Sequence, residues 1–193
     1  MSEAKTRSII EYKPGKLLRG LNYSGRAETP GDWIDVVPGK IRYKQVKIGG
    51  VDQELVDAAD IEMKPDSWSP FQCIASESTF IEVPHGNITF ITADPAGNVY
   101  WDEFDAGEAG MYSLELGQGW IMVMHAHKNQ PKPVKHLEYC EPGFFNPRTR
   151  LVDFQRGTSE IEGHNIPEKF WQYVELEEKG LKPEDATTPN DRQ

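Results

Sequence analysis

The segment Gly117-Gln-Gly-Trp-Ile-Met-Val-Met-His-Ala-His-Lys128 joins a glycine turn, an apolar run and two histidines separated by one residue. Successive side chains of a β-strand point to opposite faces, so this pattern predicts a strand on which His125 and His127 share a face. Met122 and Met124 lie on the other face. If the histidine face lines the interior of a barrel, two imidazoles enter an enclosed space, where they can bind a metal ion or transfer protons.

A metal site needs more than two protein ligands, and a later predicted strand offers His136 and Glu138. His125, His127 and His136 are therefore the candidate metal ligands, and a divalent metal ion is the cofactor that they would bind. His125, His127 and Glu138 are the candidate catalytic residues, with Glu138 acting as a ligand or as the partner that orients an imidazole. The His-x-His spacing fits equally well an exposed edge strand or a hydrogen-bonded polar rim of a core.

Short β-strand patterns separated by turns recur along the chain at a spacing of roughly 8–12 residues, which is typical of a sandwich or barrel. The predicted strands are Asp32–Val37, Ile41–Ile48, Phe71–Ala75, Thr79–Val83, Ile88–Thr92, Val99–Phe104, Met111–Leu116, Trp120–His127, Val134–Cys140 and Arg150–Phe154. Helical spacing predicts a short helix or a loop at Val51–Ala59. Pro167–Lys179, with a proline in its first turn, predicts a C-terminal helix.

The length of 193 residues predicts one domain over residues 1–180, followed by a polar tail at 181–193. The formal net charge of −10 argues against a nucleic-acid partner. The chain has no apolar run long enough to span a membrane, and its first residues lack the apolar core of a signal peptide. We therefore expect a cytoplasmic protein. Cys73 and Cys140 are too few for a disulfide framework.

The β-strand pattern and the His-bearing strand behind a glycine turn resemble the cupin superfamily. This resemblance implies an all-β fold, the double-stranded β-helix or jelly-roll barrel, here with a short C-terminal helix. The usual cupin metal signature places a glutamate a few residues after the His-x-His pair. In this chain Glu138 follows His127 by eleven residues, so the metal signature is incomplete.

The order of four short elements resembles the ureidoglycolate lyase group of cupin-like proteins. These elements are Gly39-Lys-Ile-Arg42-Tyr43, Ser78-Thr79 with Val83-Pro84, Gly117-Gln-Gly119 with the following strand, and Asp153-Phe154 with Arg156-Gly157. The resemblance covers about residues 38–160, and it lacks that group's Trp-His-His cluster. It implies elimination of urea from ureidoglycolate to leave glyoxylate, and cupin barrels of this type commonly form homodimers.

A lyase that acts on a small hydroxy acid needs a cation for the carboxylate of its substrate. Arg42 is the candidate for this role, because a guanidinium binds a carboxylate through two hydrogen bonds. Tyr100 and Trp120 are the candidate walls of the substrate pocket. The expected partner is therefore a small-molecule carboxylate.

Two other functions remain open. His125-Ala-His-Lys128 resembles a motif of the sugar-nucleotide ketoisomerases, another cupin group, which favours a metal-dependent isomerase or oxygenase acting on a sugar-like or other small substrate. The incomplete signatures also fit a non-catalytic binding or assembly barrel.

Overall fold

The computed structural model describes residues 10–11, 21–27, 33–50, 55–75, 78–105, 112–140 and 152–185. These residues form sixteen strands and one α-helix. The strands are β1 Ile10–Glu11, β2 Leu21–Ala27, β3 Ile34–Val37, β4 Ile41–Gly50, β5 Leu55–Met63, β6 Ser67–Trp68, β7 Phe71–Cys73, β8 Ser78–His85, β9 Asn87–Ala93, β10 Val99–Asp105, β11 Tyr112–Gly117, β12 Ile121–Ala126, β13 Val134–Cys140, β14 Val152–Phe154, β15 Glu160–Ile161 and β16 His164–Asn165. Helix α1 spans Glu168–Glu178, and a 3-10 turn follows at Pro183–Asp185.

Two antiparallel sheets form the body of the described fold. The larger sheet has the strand order β1-β11-β8-β13-β5-β4-β2, with β3 paired to β4. The smaller sheet has the order β10-β9-β12-β7-β14, with β6 paired to β12. β15 and β16 form a separate hairpin. The many crossovers between the sheets are typical of a jelly roll, and the predicted all-β fold with a short C-terminal helix is confirmed.

The space between the two sheets, here called the barrel interior, is filled mainly by large apolar side chains. The larger sheet contributes Met63, Ile81, Leu114, Leu116 and Val134, and the smaller sheet contributes Ile88, Phe90, Phe104, Met122 and Met124. Phe90 and Phe104 meet edge to face, with their ring centroids 5.4 Å apart. The even-numbered residues of β12 therefore point into the barrel.

Helix α1 covers the outer face of the smaller sheet. Phe170 and Val174 of the helix pack on Ile121 and Val123 of β12, together with Phe154 of β14. All six residues of β12 are consequently buried, because one face meets the barrel interior and the other meets the helix. A strand buried on both faces carries a continuous apolar run instead of strict alternation, as this segment does.

The position of α1 corrects the predicted direction of the two histidines. His125 has the parity of Ile121 and Val123, so it lies on the outer face beneath the helix and not in the barrel interior. The strand was predicted correctly, and so was the placement of His125 and His127 on one of its faces. The expectation that this face lines the barrel interior was wrong. Met122 and Met124 join the apolar cluster between the sheets, and the helix needs the other face to bury its own apolar stripe.

Two further predictions can be compared with the described residues. The predicted helix at Pro167–Lys179 is confirmed as α1. The helix or loop predicted at Val51–Ala59 is wrong for residues 55–59, which begin the long strand β5, whereas residues 51–54 lie outside the described part. β5 pairs with β4 on one side and with β13 on the other, so tertiary pairing overrides a weak helical pattern. No helix in the described ranges is long and apolar enough to span a membrane.

Candidate functional site

The structure divides the predicted site residues among separate places. His125 and His127 lie on the outer face of the smaller sheet, beneath α1. His136 and Glu138 point from β13 of the larger sheet into the barrel interior. Tyr100 and Trp120 lie on the interior side of the smaller sheet, and Arg42 lies on the outer side of the larger one. The sequence thus identified polar residues that the fold does not gather into a single site.

His125 and His127 meet a carboxylate of the C-terminal helix. Nδ1 of His125 lies 2.6 Å from Oε1 of Glu177, and Nε2 of His127 lies 3.8 Å from the same oxygen. The hydroxyl of Thr89 on β9 contacts Nε2 of His127 at 2.7 Å. The side chain of Glu177 is only 9% exposed, so its carboxylate is contacted mainly by protein side chains and little by bulk water.

The ring of His125 is contacted on one face by an indole and at its two nitrogen atoms by carboxylates. Trp68 stacks on it with ring centroids 4.5 Å apart and planes inclined by 15°. Its Nε2 atom is buried, finds no hydrogen-bond partner among the described residues, and lies 3.6 Å from Oδ1 of Asp66. Asp66 adopts a positive φ of 61°, which is uncommon for a residue other than glycine. The imidazole is therefore fixed in orientation between two carboxylates and an indole.

The environment of His127 disfavours its charged form. Burial lowers the pKa of His127, and this effect exceeds the opposite influence of the nearby carboxylates of Glu177 and Glu103. The positive charge of Lys182 acts in the same direction as burial. His127 is consequently a group that prefers to remain neutral in the folded protein.

The barrel interior holds a second histidine and carboxylate pair. Nε2 of His136 lies 3.1 Å from Oε1 of Glu138, and the two side chains are 0% and 2% exposed. Both residues share the face of Val134, which belongs to the apolar core between the sheets. Nδ1 of His136 is buried, and the part of the chain that the structure describes offers it no hydrogen-bond partner. Buried polar atoms are normally paired, so this nitrogen requires an explanation.

Tyr100 and Trp120 lie together, as their predicted role as pocket walls requires. Their rings stack with centroids 5.6 Å apart and an interplanar angle of 21°. The hydroxyl of Tyr100 donates to Oδ2 of Asp94 at 2.9 Å. Burial raises the pKa of the Asp94 carboxyl, but hydrogen bonds from Asn98 and Tyr100 outweigh burial and hold the pKa below its ordinary value. Tyr100 is thereby fixed in one orientation.

Arg42 does not contact the interior. It neighbours Ile41, which belongs to the interior core, so alternation places Arg42 on the opposite, exposed face. Its Nη2 atom forms an ion pair with Oε1 of Glu62 at 3.0 Å, and its guanidinium lies 4.4 Å from the ring centroid of Trp33. A substrate held between the sheets would be out of reach of this guanidinium, so the position of Arg42 does not favour its predicted role as a carboxylate clamp.

Two residues of interest were not identified from the sequence. Asp102 on β10 stands opposite Phe90 in the sheet register, so it shares the interior face and is 9% exposed. The alternation of Tyr100, Asp102 and Phe104 could have indicated this position. No sequence pattern indicated a role for Glu177, because its partner His125 lies 52 residues away along the chain.

The donor atoms do not fit the metal centre that the cupin fold implies. His136 lies in the barrel interior and His125 and His127 lie outside it, so the three predicted ligands do not share a site. Within the described ranges, no three side chains of histidine, cysteine, aspartate or glutamate are placed to hold one metal ion.

Comparison with known proteins identifies similar folds but no relative by sequence. No protein-family model and no curated protein matches the sequence. A single-residue variant of oxalate decarboxylase from B. subtilis matches with a TM-score of 0.50 at 12% identity, over 80% of this chain and 36% of that one. A second oxalate decarboxylase structure matches with a TM-score of 0.50 at 13% identity, over the same 80% and 36%.

These likenesses show that the chain has the all-β cupin fold. The chain spans 36% of the length of the oxalate decarboxylases that it matches. At such low identity the activity of these neighbours does not transfer to this chain, because one fold serves many functions.

Proposed function

We propose that this chain is a cupin-type enzyme that transfers protons on a small polar substrate, with His136 and Glu138 as the catalytic pair. The observation that carries the proposal is the hydrogen-bonding contact of these two groups inside a mainly apolar interior. Removing an imidazole and a carboxylate from water costs several kcal/mol unless they are well paired. An imidazole paired with a carboxylate is a common arrangement for general acid–base catalysis.

The geometry assigns different roles to the two ring nitrogens of His136. When Nε2–H donates to Glu138, the lone pair of the neutral imidazole resides on Nδ1, the atom to which no described residue offers a hydrogen bond. Nδ1 is then the general base. Glu138 fixes the tautomer and the ring orientation, and it stabilises the imidazolium that forms when Nδ1 accepts a proton. Glu138 therefore acts on the reaction through His136.

The reaction that we propose is elimination of urea from ureidoglycolate, which the four short sequence elements favour. His136 Nδ1 takes the proton of the substrate hydroxyl, the carbonyl of glyoxylate forms, and the carbon–nitrogen bond breaks. The departing nitrogen receives the proton from Nδ1 and leaves as urea, so atoms and charges balance. Tyr100 and Trp120 supply the aromatic wall on the smaller sheet.

The experiment is a urea-release assay with the full chain and racemic ureidoglycolate. The wild type should release urea, and His136→Gln and Glu138→Gln should each lower the rate by about 10²- to 10⁴-fold, the range for loss of general acid–base catalysis. His164→Gln is the matched control, because His164 belongs to the β15–β16 hairpin and should leave the rate unchanged. A folded wild type that releases no urea above the blank would refute this reaction.

Complete burial of the pair also favours a second candidate, a non-catalytic barrel in which the contact of His136 with Glu138 is structural. In that case Glu138→Gln should lower the free energy of unfolding, while the wild type turns over neither ureidoglycolate nor related hydroxy acids. Measuring stability and turnover on the same variants separates the two candidates.

A further inference from the structure

A row of paired residues crosses the interior side of the smaller sheet. Tyr100 of β10 pairs with Thr92 of β9, Thr92 with Met122 of β12, Met122 with Gln72 of β7, and Gln72 with Asp153 of β14. Directly paired residues share one face of a sheet. Because Met122 belongs to the core between the sheets, the whole row faces the barrel interior. Every member except Met122 carries a polar group on this mainly apolar side.

Gln72 is the member of the row whose hydrogen-bonding capacity is not used. Its Oε1 atom is buried and finds no hydrogen-bond partner among the described residues. Its neighbours Phe71 and Cys73 belong to the cluster beneath α1, so alternation along β7 turns Gln72 toward the barrel interior. Buried polar atoms are normally paired, so this oxygen indicates a hydrogen-bond donor that a ligand would bring.

An aromatic surface adjoins Gln72 on the same face. Trp120 lies two residues before Met122 on β12, which makes it a diagonal neighbour of Gln72. Diagonal neighbours are about 7–8 Å apart, a separation that long side chains can span. Tyr100 stacks on Trp120 with ring centroids 5.6 Å apart, and both residues are only partly buried. A flat group can therefore lie against these rings while its edge reaches Gln72.

The charges on this side of the barrel favour a ligand that donates hydrogen bonds. Asp153 pairs with Gln72 in the row, Asp102 shares the interior face, and Asp94 accepts a hydrogen bond from the hydroxyl of Tyr100. The six described strands of the smaller sheet contain no lysine and no arginine. Such a face attracts N–H groups and repels a carboxylate.

We propose that Gln72 is a specificity-determining residue that binds the ureido group of the substrate. Its Oε1 atom accepts a hydrogen bond from the terminal amino group of the planar ureido group, which lies against Trp120 and Tyr100. The acidic side chains direct the substrate carboxylate away from the smaller sheet, and its hydroxyl toward His136 on the larger one. The choice of a ureido compound rests on the proposed function, and the acceptor and the aromatic surface are independent of it.

Calorimetric titration of the full chain with two unreactive ligands tests this ureido subsite. N-carbamoylglycine has a ureido group and a carboxylate but no hydroxyl, so it cannot undergo the elimination. In N-acetylglycine a methyl group replaces the terminal amino group. The wild type should bind N-carbamoylglycine roughly 5- to 100-fold more tightly, the range for a buried group that gains or lacks its hydrogen-bond partner. Equal affinities, or no binding of N-carbamoylglycine, would overturn the proposal.

A substitution assigns this preference to one side chain. Gln72→Leu removes the acceptor at similar size, so the variant should bind the two ligands with equal affinity. Gln172→Leu is the matched control, because Gln172 lies on the exposed side of α1 and the preference should be that of the wild type. If Gln72→Leu does not fold, Gln72→Met gives the same comparison. A preference retained in a folded Gln72 variant refutes the subsite.

The urea-release assay separates failure of the subsite from failure of the proposed reaction. If the wild type releases no urea but shows the Gln72-dependent preference, the subsite stands and the reaction does not. If the wild type releases urea, Gln72→Leu should raise KM with a smaller change in kcat. An unchanged KM in that variant would refute the subsite and leave the reaction in place.

Discussion

The imidazole of His164 lies directly against the backbone of Gly119. A Cβ atom built on Gly119 would stand 2.8 Å from Cε1 of His164, closer than real Cβ contacts allow. Gly119 also has a φ of 79°, a conformation that only glycine adopts at little cost. The turn before β12 and the β15–β16 hairpin therefore fit together only because this position lacks a side chain.

Gly119→Ala should accordingly destabilise the protein through two effects. The positive φ costs about 1–2 kcal/mol for an alanine. Displacement of His164 adds a cost of overpacking, on the order of 1–3 kcal/mol. Urea denaturation followed by circular dichroism measures the sum as a decrease in the free energy of unfolding.

The chain provides a matched control in Gly157, which also has a φ of 79°. A Cβ atom added at Gly157 would meet no atom of the described residues within 4 Å. Gly157→Ala should therefore show the backbone cost alone. The Gly119→Ala/His164→Ala double variant should lose less stability than the sum of the losses in the two single variants, because the obstructing ring is absent. Equal losses for Gly119→Ala and Gly157→Ala would contradict the close packing of His164.

Phe170 is the central anchor of α1. It is fully buried, and its ring lies 5.2 Å from that of Trp171 and 6.4 Å from those of Phe71 and Phe154, measured between centroids. Phe170→Ala should lower the free energy of unfolding by about 3–5 kcal/mol, since it leaves a cavity between helix and sheet. Leu181→Ala, at an exposed position, should change it by no more than about 0.5 kcal/mol. A loss of less than about 1 kcal/mol for Phe170→Ala would show that α1 contributes little to the fold.

Arg42→Gln tests whether Arg42 acts as the predicted carboxylate clamp. The ion pair with Glu62 is exposed to solvent, so its loss should cost about 1 kcal/mol or less in urea denaturation. Because Arg42 is outside the barrel, KM and kcat for urea release should match those of the wild type. A marked rise in KM with unchanged stability would instead show that Arg42 contributes to substrate binding.

Local periodicity was sufficient to predict the C-terminal helix and many of the strands, including β4, β9 and β12, whereas the cupin-like class came from the resemblance to a known family. His125 and His127 share a face because side chains alternate along any strand, and Pro167 marks the start of α1 because proline is well accommodated there. These features depend on neighbours within a few residues. The segment at 55–59 was mispredicted because its pairing partners β4 and β13 lie elsewhere in the chain.

Alternation in the sequence separates two faces of a strand but does not say which face is enclosed. In β12, packing decides which face is enclosed by the two sheets. Met122 and Met124 pack with Phe90 and Phe104 between the sheets, and α1 covers the face that carries His125. The same packing turned Arg42 outward, buried His136 with Glu138, and brought Glu177 to His125 across 52 residues. Such contacts are set by the assembly of distant elements around a common core, and no spacing within one strand encodes them.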